Sequence, residues 1–467
     1  MKICPTRFFA VMCLAFFAGV SFAPSAGAQT RTLRIVCYNI EDDISGASTP
    51  LPGLIAPPSN TNNFQAGGVL EGIGEETVGP DRGQPLDVLA LEETTSNPTT
   101  VAPIVNGLNT FYGVAGMYSN SAYQATESGG DTADGNGPNA MVFNTKTVQL
   151  LASVPVDPPG GTSKLGSSSG EYREVMRYEF APAGVAPAST NEFYIYVSHY
   201  KSGTTSGDAS SRSGEAQIVR NDAAMNLPSG SCAIYVGDYN VDTSGEAGYL
   251  TILANAAPNG IVRGQAIDPL NVVVNSNIDW SVSTTATNIL AMLTEHSYEL
   301  EYRDDLQLMT TNIYYGVAGG LQYVPGTYHG FANNGTIGYK GHVTATTNTA
   351  LLNRLVTNGP VFISAAQLYL DLTNASDHLP VVADYTVPVP APGITGLSLV
   401  GTNLQFQVVN SITGAVVTVL TSPNLSSPLT NWNTVATGTA AGGSFTFTAT
   451  NAVNPTVPAE FYLLREN

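Results

Sequence analysis

The stretch CAIYVGDYN, residues Cys232–Asn240, is an apolar run that ends in polar residues. Its β-branched and aromatic residues favour a buried strand, which would deliver Asp238 and Asn240 at its C-terminal end. Taken alone, GDYN is more typical of a turn than of a site, because Gly, Asp and Asn are common turn residues. The rest of the chain has to decide between these two interpretations.

The same form recurs elsewhere in the chain as a short apolar strand that delivers a polar residue at its C-terminal end. The further examples are TLRIVCYNI (Thr32–Ile40), DVLALEE (Asp87–Glu93), NAMVFN (from Asn139) and EFYIYVSHY (from Glu192). Helical patches are predicted over residues 68–78 and 212–225. This pattern is typical of layered α/β or α+β enzymes, in which sites collect at strand ends.

Five fragments end in oxygen-bearing or imidazole groups. They carry Asn39 and Glu41, Glu92 and Glu93, His199 and Lys201, Asp238 and Asn240, and Asp377 and His378. Carboxylate and amide oxygens suit a hard divalent cation, Mg²⁺ or Mn²⁺. Two histidines and a separate aspartate suit proton transfer at a phosphoryl centre beside that cation.

The ordered segments LRIVCYNI, DVLALEET, REVMRYEF, VSHYKS, GDYN and SDHLPVVADY resemble the endonuclease/exonuclease/phosphatase superfamily, the deoxyribonuclease I-like proteins. The resemblance covers roughly residues 31–385. It implies an α/β (α+β) four-layer sandwich of two packed β-sheets flanked by helices. It also implies a metal-dependent hydrolase acting on phosphoester bonds, with Mg²⁺ as cofactor, or Mn²⁺, and Ca²⁺ as a third candidate.

The resemblance implies a metal site. Asn39 and Glu93 resemble metal-site residues, with Glu93 as the main carboxylate ligand. Asp377 completes the metal shell or orients the histidine that follows it. Glu41 is either an acidic metal contact or a surface residue. Glu92 stands where the family usually has Gln, and it either strengthens the metal site, adds a second one or faces solvent.

The resemblance also implies catalytic roles. His378 resembles the histidine that helps activate the attacking water and binds the scissile phosphate, and His199 resembles the one acting on the leaving oxygen. Asp238 resembles the acid that orients or deprotonates the water, and Asn240 resembles the residue that holds a phosphate oxygen. In YRDDLQL one acid pairs with a site histidine, and Asp305 is preferred over its neighbour Asp304.

Four cations are candidate contacts for a substrate backbone. Arg173 resembles a phosphate-contacting arginine of the nuclease branch, and Lys201 follows the strand of His199. For Arg212 and Arg220 the alternative is a solvated helix face. The aromatic and histidine residues that could line the site mouth, to stack on bases or form an apolar pocket, are Tyr112, Tyr118, Tyr123, His329 and Phe331.

Cys37 and Cys232 are the cysteines that remain after the first twenty-eight residues. If Asn39 and Asp238 meet at one end of parallel strands, the two cysteines are about four residues out of register, on the order of 13 Å along a strand. That is too far for a disulfide, so two buried free thiols are expected.

The N-terminus reads as a secretory signal over residues 1–28. Lys2 and Arg7 give a positive start, Phe8–Val20 an apolar run, and Ala26–Ala28 a small-residue cleavage site. The apolar run is short for a membrane span, and no later segment is long and apolar enough to be one. We therefore expect an exported protein that is secreted, periplasmic or at the cell surface.

Composition divides the remainder of the chain. Residues 31–387 form the predicted catalytic domain, 388–393 a Pro-rich linker, and 394–467 a β-sandwich accessory domain. The last segment carries only Glu460, Arg465 and Glu466 as charges. It looks like the short C-terminal β-modules of other exported bacterial proteins, which suits cell-surface or glycan contact. The sequence has no oligomer signal, so a monomer is expected.

The charge balance limits the function. The chain has 17 Lys and Arg against 36 Asp and Glu, so broad electrostatic binding to nucleic acid or anionic lipid is excluded. Three hypotheses remain, of which an exported metal-dependent nuclease leads. The second is a phosphatase or phosphodiesterase on small or lipid phosphoesters. The third is an inert surface-binding protein with an enzyme-like domain, disfavoured because every expected site position holds a competent residue.

Overall fold

The computed structural model describes only part of the chain. The described residues are 11–14, 29–41, 66–76, 83–122, 137–156, 173, 175–188, 191–270, 280, 287–295, 299–316, 320–352, 363–389, 393–411, 416–439, 443–452 and 460–466.

Among these residues the strands are β1 (Val11–Leu14), β2 (Gln29–Asn39), β3 (Val88–Glu92), β4 (Tyr118–Asn120), β5 (Ala140–Asn144), β6 (Val148–Val156), β7 (Val175–Pro182), β8 (Phe193–His199), β9 (Cys232–Asp238), β10 (Ala266–Ile267), β11 (Asp305–Thr310), β12 (Gln322–Tyr323), β13 (His329–Gly330), β14 (Val381–Val389), β15 (Gly393–Val400), β16 (Asn403–Ser411), β17 (Val416–Ser422), β18 (Asn433–Thr439), β19 (Gly443–Ala449) and β20 (Glu460–Glu466). The α-helices are α1 (Ala66–Glu75), α2 (Ala102–Phe111), α3 (Ser206–Asn226), α4 (Ala247–Leu253), α5 (Thr287–Leu290), α6 (Thr311–Tyr315) and α7 (Ala365–Ala375). A π-helical turn (Asn97–Val101) precedes α2, and a 3₁₀ turn (Leu429–Asn431) precedes β18.

The chain divides into two compact units. The larger one consists of residues 32–181 and 188–387, and the smaller one of residues 1–31, 182–187 and 388–467.

The larger unit contains two mixed β-sheets. One has the strand order β12-β14-β2-β3-β5-β4, with β13 added beside β14, and the other has the order β10-β11-β9-β8-β7-β6. Each sheet is built around one parallel pair, β2 with β3 and β8 with β9, and their other described neighbours run antiparallel. Helices α1, α2 and α7 pack together, as do α3 and α4. The predicted sandwich of two sheets flanked by helices is confirmed.

The central strands are covered on both faces. Every residue of β3, β8 and β9 is buried, which explains why their sequences are nearly continuous apolar runs. The prediction for NAMVFN is wrong in one respect, because β5 runs antiparallel to β3 and pairs Ala140 with Leu91. Asn139, rather than Asn144, therefore lies at the carboxyl end of β3.

Helix α3 begins earlier than predicted. Thr205 and Asp208 form a capping box, in which each side chain accepts a hydrogen bond from the other residue's backbone N–H. The two predicted thiols are free and buried, as expected. The Sγ of Cys37 lies 3.4 Å from Glu92 Oε1, and the Sγ of Cys232 lies 3.7 Å from the backbone oxygen of Leu321.

The smaller unit is all β, as predicted. It contains a sheet of order β1-β20-β17-β18 and a sheet of order β15-β16-β19, both antiparallel where pairing is described. Its core includes Phe406, Val419 and Leu464. Val11–Leu14, inside the predicted signal, pairs with β20. The signal peptide stays a prediction.

The predicted linker overlaps a strand. Pro388 and Val389 continue β14, and residues 390–392 lie outside the described part of the chain. None of the helices formed by the described residues is long and apolar enough to cross a membrane.

Candidate active site

The candidate site lies where the two parallel strand pairs end. In the first pair Asn39 is in register with Glu92, and in the second His199 is in register with Asp238. Strand β11 adds Asp305 directly opposite Asp238. Because the sheets pack face to face, these strand ends bring the polar residues of five separate sequence fragments together.

The backbone turns sharply after β2, β3 and β9. Glu41, Glu93 and Asn240 have positive φ angles of 50°, 55° and 49°. Left-handed backbone is uncommon for residues other than glycine, and it costs on the order of 1 kcal/mol or more at each position. Such strain is typical of functional sites, where the surrounding structure holds side chains in place.

Gly237 allows the second parallel pair to close. Its φ is +139°, and a Cβ atom there would lie 1.7 Å from the backbone oxygen of Ser198. A side chain at this position is therefore excluded. The glycine of GDYN is explained by the contact between β8 and β9 that positions Asp238.

Asn39 lies between two carboxylates. Its Nδ2 donates to Glu93 Oε1 at 3.0 Å and to Asp238 Oδ2 at 3.2 Å, and its Oδ1 accepts from the backbone N–H of Glu41 at 3.0 Å. The amide nitrogen, rather than the oxygen, thus faces the carboxylates. Metal contact by Asn39 stays a prediction.

His199 completes a group suited to a metal ion. Its Nε2 lies 3.4 Å from both Glu93 Oε1 and Asp238 Oδ2, which is longer than an ordinary hydrogen bond. Ligand atoms of these three residues all lie within 4.8 Å of one another. Burial lowers the pKa of His199 well below its usual value, so the imidazole is neutral and free to coordinate. Carboxylate oxygens and a neutral imidazole fit a divalent cation.

His378 forms the second part of the site. Its Nδ1 lies 2.8 Å from Asp305 Oδ2, and its Nε2 lies 3.6 Å from Asp377 Oδ1 and 3.9 Å from Asp238 Oδ2. Burial alone would lower the pKa of His378, but the surrounding carboxylates, Asp305 foremost, raise it well above its usual value. The imidazole therefore carries a proton and a positive charge. The structure places Asp305, and not Asp304, against this histidine.

Asp238 occupies the centre of the site. Its Oδ1 accepts from the backbone N–H of Asn240 at 2.9 Å, while its Oδ2 faces Asn39 and both imidazoles. Burial raises the pKa of Asp238 to about 6, against the opposing effect of His378. The side chain of Asn240 donates to the backbone oxygen of Tyr200 at 3.1 Å. Asn240 and Asp238 line one pocket.

Glu41 and Asp377 interact with each other beside His378. Burial, followed by the charge of Asp377, raises the pKa of Glu41 to about 7. The side chain of Asp377 is 29% exposed and that of Glu41 is half-buried. Glu41 therefore lies in direct reach of the site rather than on an open surface.

Two of the four predicted cations lie next to the site. Arg173 is buried behind His199, where its guanidinium donates to the backbone oxygen of Tyr200 at 2.6 Å and its backbone N–H donates to Glu215 at 2.9 Å. The side chain of Lys201 is 44% exposed, and its Nζ lies 3.8 Å from Asp208. Phosphate contact by either residue stays a prediction.

The other two cations were wrongly interpreted. Arg212 and Arg220 are fully buried, so they form neither a solvated helix face nor a phosphate-binding surface. Arg212 forms a salt bridge with Glu246, and Arg220 donates to three backbone oxygens at 2.7–3.2 Å. Both guanidinium groups satisfy internal acceptors beneath α3.

The residues expected at the site mouth lie elsewhere. Tyr118 is buried and donates to the backbone oxygen of Leu86, at the other end of β3, and the ring of Tyr112 stacks on it. His329 and Phe331 are buried as well. Tyr123 lies outside the described residues. Tyr118 and Phe331 belong to the core and Tyr112 packs against it, while His329 contacts Glu76 at 2.8 Å.

Glu92 does not face solvent. It is fully buried, and its Oε1 accepts from the Cys37 thiol. Burial, followed by the charge of Asp305, raises the pKa of Glu92 well above its usual value, so the carboxyl is neutral. It is not part of the group formed by Glu93, His199 and Asp238.

One pocket of about 310 Å³ is lined by six of the predicted site residues: Glu93, His199, Asp238, Asn240, Asp377 and His378. The residues of this pocket that sequence reasoning missed are Ser202, Gly203, Thr204, Asp242, Glu295 and Tyr302. Asp304, which the sequence offered as the alternative to Asp305, also lines the pocket. Asp242 follows GDYN by two residues, so a signal existed for it. Glu295 and Tyr302 follow no apolar strand, so the strand-end pattern could not reveal them.

No protein-family model matches the chain, and no curated protein matches it. Solved structures do resemble it. The human Nocturnin catalytic domain with bound sulfate is 14% identical, with a TM-score of 0.43, over 78% of this chain and 97% of that one. An endonuclease/exonuclease/phosphatase from Beutenbergia cavernae is 13% identical, with a TM-score of 0.38, over 93% and 96%. ANGEL2, a 2′,3′-cyclic phosphatase, is 16% identical, with a TM-score of 0.41, over 77% and 98%.

Proposed function

We propose that this protein is a divalent-metal-dependent phosphoesterase that hydrolyses a phosphodiester by in-line attack of water. The observation that carries the proposal is one pocket lined by both the Glu93–His199–Asp238 group and His378, whose Nδ1 is held by Asp305 behind the pocket. The first suits a cation and the second an anion. A phosphodiester bound together with a metal ion supplies one anion and one cation, which match these two parts of the pocket.

The proposed metal site uses Glu93, His199 and Asp238. When bound there, Mg²⁺ or Mn²⁺ would supply positive charge that offsets the charge growing on the phosphoryl oxygens. Ca²⁺ is a third candidate because the ligands include hard carboxylate oxygens. The neutral state of His199 favours this role over protonation of a leaving oxygen, which its family resemblance had implied.

His378 is the proposed proton donor. Asp305 fixes its ring through Nδ1, so the Nε2 proton points toward the pocket and can reach a phosphoryl or leaving oxygen. Asp238 orients the attacking water, because its Oδ2 is the carboxylate atom that faces both imidazoles. Asn240 and Asn39 hold Asp238 in this position through hydrogen bonds.

A nucleic-acid strand is the leading substrate on the superfamily resemblance, with export resting on the predicted N-terminal signal. Support for a polymer is limited to Lys201, since Arg212 and Arg220 are buried. A small or lipid phosphoester is the second candidate. The acidic residues that line the pocket favour it, because they would repel the flanking phosphates of a polynucleotide.

The test compares the purified protein with its His378→Ala variant. Supercoiled plasmid DNA, single-stranded RNA and bis-p-nitrophenyl phosphate are each incubated with Mg²⁺, with Mn²⁺ and with EDTA. Metal-dependent plasmid nicking or RNA cleavage that the variant loses would support a nuclease. Turnover of the small ester alone would support the second candidate. No turnover of any substrate, together with no metal binding, would contradict the proposal and favour an inert domain.

A further inference from the structure

A short loop after β8 forms one side of the pocket, and the hydrolysis proposed above assigns it no role. Ser202, Gly203 and Thr204 line the pocket together with His199 and Asp238. We call these three residues the pocket loop. All three are exposed, and two of them carry hydroxyl groups, which can donate hydrogen bonds to the oxygens of a phosphate ester. The pocket loop is therefore placed to contact a bound substrate.

The pocket loop is held in place by a buried arginine of α3. Nη1 of Arg212 donates to the backbone oxygens of Lys201 and Gly203 at 2.8 and 2.7 Å. The Nε and Nη2 atoms of the same side chain form a bidentate salt bridge with Glu246. Arg212 is fully buried. Because its planar guanidinium group is fixed on one side by the carboxylate, it presents a rigid donor to the two carbonyl groups on the other side.

A buried glutamate of the same helix holds the loop through its first residue. Glu215 Oε2 accepts from the backbone N–H of Lys201 at 3.0 Å, and its Oε1 accepts from the backbone N–H of Arg173 at 2.9 Å. Glu215 is fully buried, and residues three apart are neighbours on a helix surface. Arg212 and Glu215 thus bind the backbone oxygen and the backbone N–H of the same residue, Lys201, which directly precedes the pocket loop.

The buried side of α3 also provides a matched residue that does not reach the loop. Arg220 lies about two turns beyond Arg212 and is equally buried. It donates to the backbone oxygens of Thr251, Ala254 and Arg263. Neither Arg220 nor any of these three acceptors lines the pocket. The two arginines therefore have the same chemistry and the same burial, and they differ in the segment that they hold.

We propose that Arg212 and Glu215 are positioning residues for substrate binding, which act by fixing the pocket loop where it contacts the ester. This inference rests on the phosphodiesterase activity proposed above. Neither residue lines the pocket, so neither touches the reacting atoms. A substitution that displaces the loop should therefore raise KM and keep kcat, which is the kinetic sign of lost binding that does not change between ground state and transition state. A purely structural role would change the free energy of unfolding without changing the KM of the folded molecules.

The experiment compares Arg212→Lys with Arg220→Lys in the full chain. Lysine keeps the positive charge, but its single ammonium group cannot replace the guanidinium contacts to Glu246 and to two backbone oxygens. With bis-p-nitrophenyl phosphate and Mg²⁺ or Mn²⁺, Arg212→Lys should raise KM about tenfold, the lower end of the scale for a residue that orients another, and leave kcat near the parent value. Arg220→Lys should leave both constants unchanged. Circular dichroism and urea unfolding measure the folded fraction of each variant.

Glu215→Gln is the second variant, and it keeps the proposal testable if Arg212→Lys does not fold. Glutamine has the same shape but only one acceptor oxygen, so the backbone N–H of either Lys201 or Arg173 loses its acceptor. KM should rise several-fold, again without a matching fall in kcat.

Three kinetic outcomes would overturn the proposal. They are an unchanged KM in the folded Arg212→Lys and Glu215→Gln proteins, an equal rise of KM in Arg220→Lys, and a fall in kcat with an unchanged KM. The second would mean that α3 as a whole is loosened, and the third would place the effect on His199 rather than on the pocket loop.

Failure of the phosphodiesterase is a separate outcome. If the parent protein hydrolyses no ester, the proposed function fails, and calorimetry with intact bis-p-nitrophenyl phosphate decides the role of the loop. Binding about tenfold weaker in Arg212→Lys than in the parent protein and in Arg220→Lys would support the positioning role. Equal binding in all three proteins, or no binding to the parent protein, would overturn it.

Discussion

The two ends of the paired strands β2 and β3 both hold buried acidic and basic residues, but the contact distances at the two ends differ. At the far end, Arg34 forms a bidentate salt bridge with Asp384 at 2.8 and 2.9 Å, and His329 contacts Glu76 at 2.8 Å. At the site end, His199 lies 3.4 Å from its nearest carboxylates, and its Nδ1 has no hydrogen-bond partner among the described residues. Both clusters are buried, and the second lines the candidate pocket.

The difference teaches that buried acids and histidines do not by themselves mark a site. Where each group has a partner at hydrogen-bond distance, the cluster stabilises the fold or at least fixes its geometry. Where acids and histidines with shifted pKa values face a pocket, the cluster is a candidate functional site. Substitutions at the far end should therefore change the free energy of unfolding, and substitutions at the site end should change the reaction rate.

The largest effect is expected from the same substitution at two histidines. His378→Ala should lower kcat on bis-p-nitrophenyl phosphate about 10³–10⁴-fold, because the pocket loses its proton donor. His329→Ala should keep kcat per folded molecule and lower stability instead, because it leaves Glu76 without its histidine. Steady-state rates and urea unfolding measure the two quantities. Equal losses of rate in both variants would break the comparison.

The next effect concerns the far end alone. Asp384→Ala should destabilise the fold by about 3–5 kcal/mol, because it leaves the buried Arg34 guanidinium without its bidentate partner. Urea unfolding followed by circular dichroism measures this change, with Glu192→Ala as a control. A folded Asp384→Ala protein should keep its rate. An unfolding free energy equal to that of the parent protein would show that the salt bridge is not what stabilises this end.

The sequence was sufficient for the site residues that end strands. Asn39, His199 and Asp238 each follow a buried apolar run, and period-two patterning with parallel pairing brings such ends to one edge. It was insufficient for residues whose environment depends on tertiary packing. Arg212 and Arg220 lie in a polar helical segment that is typical of an exposed face. Both are buried because α3 packs against α4.

The position of Glu295 illustrates the same limit. Glu295 reaches the pocket through backbone pairing with His378, which is distant in sequence. No local pattern records such a pairing. Likewise, the burial of Tyr118 follows from a hydrogen bond to Leu86 across the sheet, rather than from its position in a loop-rich segment.

The third effect tests the hydrogen bond that distinguishes the site histidine. Asp305→Asn should lower kcat/KM about 10–100-fold, the scale of a residue that orients another. Asp305 raises the pKa of His378, so its removal should lower that pKa. Because the active histidine is protonated, activity falls as pH rises through its pKa, and this alkaline limb should move to lower pH. Profiles of kcat/KM from about pH 5 to about pH 9 measure the shift. If the alkaline limb stays at the pH seen in the parent protein, it reports the titration of a group other than His378.

The smallest effect concerns a third acidic cluster, which contains no histidine. Glu71 of α1 is 2% exposed, its Oε1 has no hydrogen-bond partner, and it lies near Asp371 of α7. Burial, followed by neighbouring acids, raises the pKa of Glu71 to about 9, and burial raises that of Asp371 to about 7.

A raised carboxyl pKa stabilises the fold below the unfolded value of 4.5 for Glu71, and that stability is lost as pH rises toward the folded value. The parent protein should therefore lose about 1–2 kcal/mol more than Glu71→Gln between about pH 6 and pH 8, since one proton is worth up to about 1.4 kcal/mol per pH unit. Urea unfolding at both pH values measures the difference, and the rate on bis-p-nitrophenyl phosphate should not change. If Glu71→Gln altered the rate, a buried acidic cluster without a histidine would also affect catalysis. The contrast between the two ends of β2 would then not depend on the histidine and the pocket.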